Sequence, residues 1–308
     1  MQTQSLILGS GPAGCTAAFY MAMAGFQTTM LMGDTPGGQL ILTDKIENFP
    51  GYTDISGFDL TAVFQKQATK AGVQLLYAQA ERLLSTQPPF RVQTNDGQEI
   101  TTDTLIIATG ASPRWLHIPG ESRLIGHGVS VCATCDGLFF KKKPVAVIGN
   151  GNSAAYEALF LSKTSSTVYL IYNTPKLRAE NNLIQQILKT PTISQIPNTQ
   201  VLAFTGNRLL TGLQLKDLIT NSESTLAVSG AFEAVGCIPN TQIFEGLLDI
   251  DPNGYLITNP ETKETSVPGI FACGDIQEPL YRQAVIAAGS GCLAALAAKH
   301  YLLNRIKN

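Results

Sequence analysis

Two glycine-rich turns, separated by about a domain's length, limit what this chain can fold into more than any other feature. The first is Gly9-Ser10-Gly11-Pro12-Ala13-Gly14, which follows the apolar run SLIL and opens the small-residue segment CTAAFYMAMAG. The second is Gly149-Asn150-Gly151-Asn152-Ser153-Ala154, which follows PVAVI and opens AYEALFLSK. Each reads as strand, turn, helix. Glycine at these spacings lets backbone N–H groups approach a pyrophosphate, and the N-terminus of the following helix stabilises its charge. One such turn is weak support for nucleotide binding, because ordinary tight βα turns share the pattern, and that reading carries more weight for the second turn than for the first. Two turns, each in its proper place, predict an α/β chain with two Rossmann-like nucleotide-binding domains.

The length of 308 residues allows two domains, each with its own core. With 28 glycines, 44% hydrophobic and 14% charged residues, the composition suits an α/β enzyme with many tight turns rather than a disordered or fibrous chain. A net charge of −2 leaves no electrostatic footprint for nucleic acid or an anionic membrane, and Lys141-Lys142-Lys143 reads as a solvated turn before a strand. No signal peptide is read at the N-terminus and no apolar run is read as long enough for a membrane span, so the expected location is the cytoplasm. Two further strands, TLIIATG at 104–110 and GIFACGDI at 269–276, end in Thr109-Gly110 and Gly274-Asp275, at the carboxyl edge where ligands collect. Proline-bearing linkers at 111–121 and near 238–245 divide the chain. The expected domains are 1–114 and 244–308, forming one interrupted domain, with 115–243 as the second, inserted into the first.

The most specific chemistry lies in VCATCDG. Cys132 and Cys135, two residues apart, can close a small disulfide when a helical turn brings them together, and one thiolate can then attack a substrate disulfide. Asp136 follows directly and could serve as general acid and base for the leaving thiolate. Zinc is the competing reading, because His117 and His127 lie upstream, but a His spacing of ten is unlike compact zinc modules and no metal is expected. Cys15, Cys237, Cys273 and Cys292 fall among apolar or small residues and are expected to be buried.

Taken together, GSGPAG at 9–14, PGGQL at 36–40, ENFPG at 47–51, ATGAS at 108–112, CATCDG at 132–137, PNT at 239–241, and GIFACGD followed by YRQAVIAAGSGCLAAL within 269–296 resemble the low-molecular-weight flavoprotein thioredoxin reductases over essentially the whole chain. The resemblance implies FAD in the interrupted domain. Gly9, Ser10, Gly11, Pro12, Ala13 and Gly14 would hold the pyrophosphate. The run from Met32 and Gly33 through Gly37, Gly38, Gln39 and Leu40, together with Asn48, would line the adenosine and flavin sides, and Thr109 and Gly110 would close the strand edge. Gly274 and Asp275 would bind the ribityl chain or its phosphate, and Arg282, Gln283 and Ala284 would face the isoalloxazine. The resemblance also implies a homodimer, a thioredoxin substrate, and a domain rotation that presents the Cys pair alternately to flavin and substrate.

Two departures stand out. Met32 occupies a strand end where a ribose-binding carboxylate could sit. More consequentially, NADPH-dependent members carry His-Arg-Arg and then another Arg, where this chain has Tyr172-Asn173-Thr174 and then Arg178. Loss of two charged phosphate contacts should weaken NADPH binding by roughly a hundredfold or more, and no carboxylate converts the site to NADH. Gly149, Gly151, Ala154, Asn173, Thr174 and Arg178 therefore read as a remnant nicotinamide site, and in this the chain is similar to variants of the family that use reduced ferredoxin or another donor. The alternatives are an NAD(P)H-dependent reductase of another disulfide protein and a flavin-binding redox sensor module.

Overall fold

The computed structural model describes all residues except Asp44, Lys45 and Asn308. In chain order, the N-terminal stretch contributes β1 (Gln2–Leu8), α1 (Pro12–Met23), β2 (Thr28–Leu31), α2 (Gly57–Lys70), β3 (Gln74–Leu76), β4 (Ala80–Ser85), β5 (Phe90–Thr94), β6 (Glu99–Ile107) and β7 (Ala111–Pro113). The middle stretch contributes α3 (Glu121–Leu124), β8 (Val129–Ser130), α4 (Ala133–Asp136), β9 (Pro144–Ile148), α5 (Asn152–Leu161), β10 (Thr167–Ile171), α6 (Asn181–Leu188), β11 (Ile193–Ile196), β12 (Thr199–Thr205), β13 (Gly212–Asp217), β14 (Glu223–Ala227) and β15 (Gly230–Glu233). The chain then closes through β16 (Cys237–Pro239), β17 (Ile270–Ala272) and α7 (Ala284–Lys307).

Two compact units result: Met1–Ser112 with Ile238–Asn308, and Pro113–Cys237. The first is a seven-stranded sheet in the order β3-β2-β1-β6-β5-β4, with β17 also paired to β6. The two partners of β6 use different halves of it. Antiparallel β5 pairs along Glu99–Thr102, and parallel β17 takes over along Leu105–Ile107. β17 completes a parallel set in which the apolar ends Leu6–Leu8, Met30–Leu31, Leu105–Ile107 and Ile270–Ala272 are buried. One face packs Ile7, Met30 and Ile106 against Ala17, Ala18 and Met21 of α1 and Ala294, Ala295 and Ala298 of α7. The other buries Leu6, Leu8, Leu105 and Ile107 with Phe90 and Phe244.

The second unit repeats the plan with a parallel sheet, β11-β10-β9-β15-β8, and adds an antiparallel β12-β13-β14 sheet. The small residues Ala154, Ala155 and Ala158 of α5 let that helix lie close on Val145 and Val147 of β9. The chain leaves this unit at 237/238, six residues before the expected boundary at 243/244, and enters it at 112/113 rather than 114/115. The reason for the earlier exit is Asn240. Its Nδ2 donates to Thr109 O (2.8 Å), its N–H to Gly110 O (3.0 Å), and its own carbonyl and Oδ1 accept from Thr109 Oγ1 and Ser112 Oγ. The PNT segment thereby belongs to the strand end at 109–112.

Contrary to the sequence expectation, one helix, along Ala284–Arg305, is long and apolar enough to cross a membrane by length and composition. Its alanines account for this. They are small enough for close packing on α1, and Ala294, Ala295, Ala298 and Leu302 are buried in the core of the first unit.

A second feature was not legible beforehand. Glu121, opening α3, and Glu233, ending β15, are 5% and 2% exposed. Glu233 Oε2 accepts from Leu116 N–H (3.0 Å) and Glu121 Oε2 from His117 N–H (3.1 Å). Their remaining oxygens have no donor, and the two carboxyls lie within hydrogen-bonding reach of each other once one carries a proton. Burial first, then the neighbouring Glu121 charge, pushes Glu233 from 4.5 up to about 8. A proton held between the two carboxyls would relieve their repulsion, and Glu233 ties the Leu116 N–H to β15. Because the folded pKa is raised, the stability from this proton is full below about 4.5 and is lost as pH rises through about 8. Thermal melts of the wild type should accordingly fall between pH 5 and 9. Glu233→Gln, neutral throughout, should flatten that component, and identical profiles for the two proteins would contradict the shared proton.

Candidate active site

The first glycine turn is shaped by close backbone approach. Gly9 is left-handed (φ 106°), and a Cβ there would lie 2.3 Å from Ala108 O. At Gly14 a Cβ would lie 2.0 Å from Gly9 O. Only hydrogen at both positions lets α1 rise against the end of β6. Pro12 fits the first position of α1, where an N–H would have no helical partner. The outer side of the turn is bare: around Gly11 the nearest atom to an added Cβ would be Gly37 O at 4.0 Å. Left-handed Gly38 lies against Gly11, and Gln39 and Leu40 follow it in a 3-10 turn, Gly38–Leu42.

Ser10 fixes this arrangement. Its Oγ accepts from Gly37 N–H (2.9 Å) and donates to Met32 O (2.6 Å), so it ties the 33–38 loop to the turn and is itself buried. Met32 is likewise buried, with its side chain in the core and its carbonyl committed to Ser10. The site is thus walled by glycine backbone, half-buried at Gly11 and Gly38 and buried at Gly37. The FAD expected from the resemblance fits there, because a pyrophosphate needs close N–H groups and no intervening side chain.

The opposite side of the site comes from the chain's last segment. Left-handed Gly274 packs on Ala13, where a Cβ would meet Ala13 Cβ at 2.8 Å, and its N–H donates to Ser290 Oγ of α7 (2.8 Å). Asp275 follows in a 3-10 turn, Gly274–Ile276. Burial pushes its carboxyl up to about 6, against the pull of Arg282 and with a smaller push from Glu278. A desolvated acid of this kind suits hydrogen bonding to a sugar alcohol or phosphate. Arg282 adopts a left-handed backbone (φ 45°) just before Gln283 and Ala284, where α7 begins. Gln283 Oε1 accepts from Asn48 Nδ2 (3.1 Å), which joins two expected site residues 235 positions apart. Ser290 and Asn240 are positioning residues that the sequence reading assigned no role. Neither stands out by residue type: Ser290 acts through the Gly274 N–H, and Asn240 through Thr109, Gly110 and Ser112, about 130 positions away.

In the second unit, Cys132 and Cys135 form a disulfide with Cα atoms 5.3 Å apart. The turn is anchored beneath: Ala133 is in the core cluster with α5, and a Cβ on Gly137 would strike Leu161 Cδ2 at 2.8 Å. The two sulfurs are not equivalent. Cys132 Sγ accepts from Cys135 N–H (3.2 Å) and lies 3.3 Å from Thr134 Oγ1. On reduction, charge on Cys132 is therefore met by two donors. Asp136, half-buried, ends α4 with its N–H on Cys132 O (3.1 Å). Of the other cysteines, Cys15 and Cys273 are buried, and desolvation pushes both thiols up to about 12. Cys237 and Cys292, expected to be buried, are only partly so, because one lies at a unit boundary and the other beside half-exposed Tyr20. His127 Nδ1 lies 3.1 Å from Ile125 O, and no cluster of three or more His, Cys, Asp or Glu that could hold a metal occurs among the described residues.

The second glycine turn keeps the first one's packing. Left-handed Gly149 would clash through a Cβ with Ala234 O at 2.3 Å and sits against buried Ala154, while Gly151 faces open space. Tyr172 is buried, with its hydroxyl on Gln195 Oε1 (3.0 Å), and belongs to the core. Asn173, Lys176 and Arg178 are exposed. Lys176, a cation the sequence reading passed over, lacks the fork geometry of arginine.

The geometry separates the two turns experimentally. Gly9→Ala should cut bound flavin per protein more than tenfold, read from visible absorbance, because backbone must move. Gly151→Ala should leave that ratio unchanged, since nothing lies within 4 Å of its added Cβ. Equal flavin content in both variants would show that the first turn does not carry the cofactor.

Residues 3–291 match the family model described as pyridine nucleotide-disulphide oxidoreductase. A thioredoxin reductase of Rickettsia felis is 41% identical over 304 residues, covering 97% of this chain and 98% of its own. The mitochondrial thioredoxin reductase 2 of Saccharomyces cerevisiae is 43% identical over 308 residues, covering 96% and 90%. The solved structure of thioredoxin reductase from Giardia duodenalis superposes with a TM-score of 0.93 at 35% identity, covering 98% and 99%. With two Rossmann-type nucleotide turns and a CATC disulfide in place, the chain belongs to the pyridine nucleotide-disulphide oxidoreductase family and is a thioredoxin reductase-like enzyme.

Proposed function

We propose that this protein is an FAD-dependent thioredoxin reductase that passes electrons through Cys132–Cys135 to thioredoxin, and that NADPH is a poor donor to it. The observation that carries the first half is the asymmetric disulfide, with both nearby donors directed at Cys132. Bound FAD, once reduced by the donor, would supply an electron pair to the disulfide. Two electrons and two protons convert the disulfide to two thiols. Cys132, as the stabilised thiolate, attacks the substrate disulfide and releases one substrate thiolate. Cys135 then attacks Cys132 in the mixed disulfide, the second substrate thiolate leaves, and the Cys132–Cys135 bond returns. Asp136, next in the chain, delivers and removes the proton at the leaving sulfur. Leu138 and Phe139, 50% and 46% exposed, offer an apolar contact beside the pair for a protein substrate.

The donor half rests on the second turn's surroundings. A doubly charged 2′-phosphate needs cations in fork geometry, and the loop after β10 presents Asn173, Thr174 and Pro175 instead. Reduced ferredoxin or another donor takes its place. Exposed apolar residues on α1 and α7, among them Met23, Leu293 and Leu296, support a homodimer. A reducing compartment, the cytoplasm, suits a reversible disulfide.

Anaerobic titration of the flavoprotein tests the donor. Reduced ferredoxin should bleach the flavin, whereas NADPH and NADH should do so poorly at physiological concentration. Efficient turnover with micromolar NADPH would overturn this half of the proposal. Separately, Cys132→Ser and Cys135→Ser should each keep FAD and lose thioredoxin reduction. Asp136→Asn should slow turnover by about 10²-fold with little change in melting temperature, whereas a fall in stability at an unchanged rate would assign Asp136 to structure alone.

A further inference from the structure

The side chains between the glycines of the second turn have a geometry that deepens the donor reading. Asn150 Nδ2 donates to Thr174 Oγ1 at 2.7 Å. Its Oδ1 accepts from Arg178 N–H at 2.9 Å, and its main-chain carbonyl accepts the same N–H at 2.8 Å. Thr174 Oγ1 passes its own proton to Lys176 O at 2.8 Å, and Thr174 O accepts from Asn198 N–H at 3.0 Å. Asn152 repeats the device one step along: Nδ2 donates to Glu180 Oε1 (2.9 Å) and Oδ1 accepts from Glu180 N–H (2.8 Å). Both asparagines therefore clasp the 173–180 loop with a donor and an acceptor each.

The consequence is chemical. Without an arginine pair, a 2′-phosphate could be held only by neutral donors on this loop and by the exposed cations Lys176 and Arg178. The Thr174 hydroxyl proton and the Arg178 N–H are already committed inside the protein. The backbones of Lys176 and Arg178 are tied into the same network, which restricts how their side chains can approach a phosphate. Glu180, held at the rim by Asn152, adds a negative charge to that edge.

We propose that Asn150 is a specificity-determining residue, a clasp that holds the 173–178 loop in a form that rejects 2′-phosphorylated nucleotides. Resting on the weak-NADPH reading, it goes one step further: the missing arginines are only part of the exclusion, and a cation restored to the loop stays ineffective while the clasp is closed. Asn150 acts through the loop, and so it is a positioning residue.

The test is a double-mutant cycle on the oxidised flavoprotein, with 2′,5′-ADP as the probe and 5′-AMP as the control, both measured by calorimetry. Asn173→Arg adds a cation and leaves the clasp intact. Asn150→Ala opens the clasp without adding charge. Each single variant should raise 2′,5′-ADP affinity by no more than about threefold. The double variant should raise it at least tenfold beyond the product of the two, with 5′-AMP affinity unchanged. Asn150→Ser, too short to span both partners, should behave as Asn150→Ala does and serves if the alanine variant is poorly folded. A full gain from Asn173→Arg alone would overturn the clasp and leave the weak-NADPH reading standing. Parallel gains for 2′,5′-ADP and 5′-AMP would also overturn it, by showing a loosened fold rather than phosphate selection. Tight binding of 2′,5′-ADP by the unmodified protein would overturn both.

Discussion

Everything in the first unit depends on a crossing where side chains are absent. Four backbone segments meet around Ala13 and Gly14. Gly9 and Gly14 bring the turn and α1 onto the end of β6, Gly274 brings the end of β17 onto Ala13, and a Cβ on Gly291 of α7 would lie 2.2 Å from Ala13 O. A methyl at any of these points would collide with backbone or with the Ala13 side chain and push an element outward. The cofactor site is therefore a by-product of dense packing. The same glycines that allow the core to form leave unobstructed backbone donors at the helix start, where a pyrophosphate is stabilised by N–H groups and the helix dipole together.

The second unit uses the same construction with a different outcome at its rim. Gly149 and Ala154 preserve the contact of β9, α5 and the Ala234 carbonyl, so the fold is retained whether or not a nucleotide binds. The polar residues of the turn, Asn150 and Asn152, face the neighbouring loop and saturate it. Packing and ligand recognition are separable here because they use different atoms: glycine hydrogens for the first, side-chain amides for the second. The disulfide turn draws on the same packing, since Ala133 and Gly137 rest on the helix that the second glycine turn launches.

The α/β class, the pair of Rossmann-like turns and the Cys pair were legible in the sequence because each is a local pattern at a fixed spacing, and the two glycine turns reinforce one another. Less legible was whatever depended on contacts between distant positions. Asn240 looked like part of a linker, yet its four bonds to 109–112 give the PNT segment to the first unit. For Met32 no sequence spacing shows that its side chain is buried in the core and its carbonyl accepts from Ser10. No run in the closing helix reads as long enough for a membrane span, since its alanines look unremarkable singly, and only the continuous helix meets that length and composition. Glu121 and Glu233 gave no signal at all: two acids 112 positions apart meet only after β15 and α3 are in place. Asn150 and Asn152 were in plain view inside the glycine motif, but their partners lie beyond α5 and β10, and no spacing rule connects them.

On the proposed route, electrons leave the flavin through one disulfide and no other cysteine. Thiol mapping after controlled reduction tests that route. Free thiols of the oxidised protein are first blocked with N-ethylmaleimide. The anaerobic flavoprotein then receives two electron pairs by photoreduction, one for the flavin and one for a disulfide, and new thiols are labelled with iodoacetamide and located by mass spectrometry. The second label should appear on Cys132 and Cys135 alone, with Cys132 labelled first because its thiolate has the two donors. A bleached flavin with the pair still oxidised, or second labels at Cys237 or Cys292, would contradict the account.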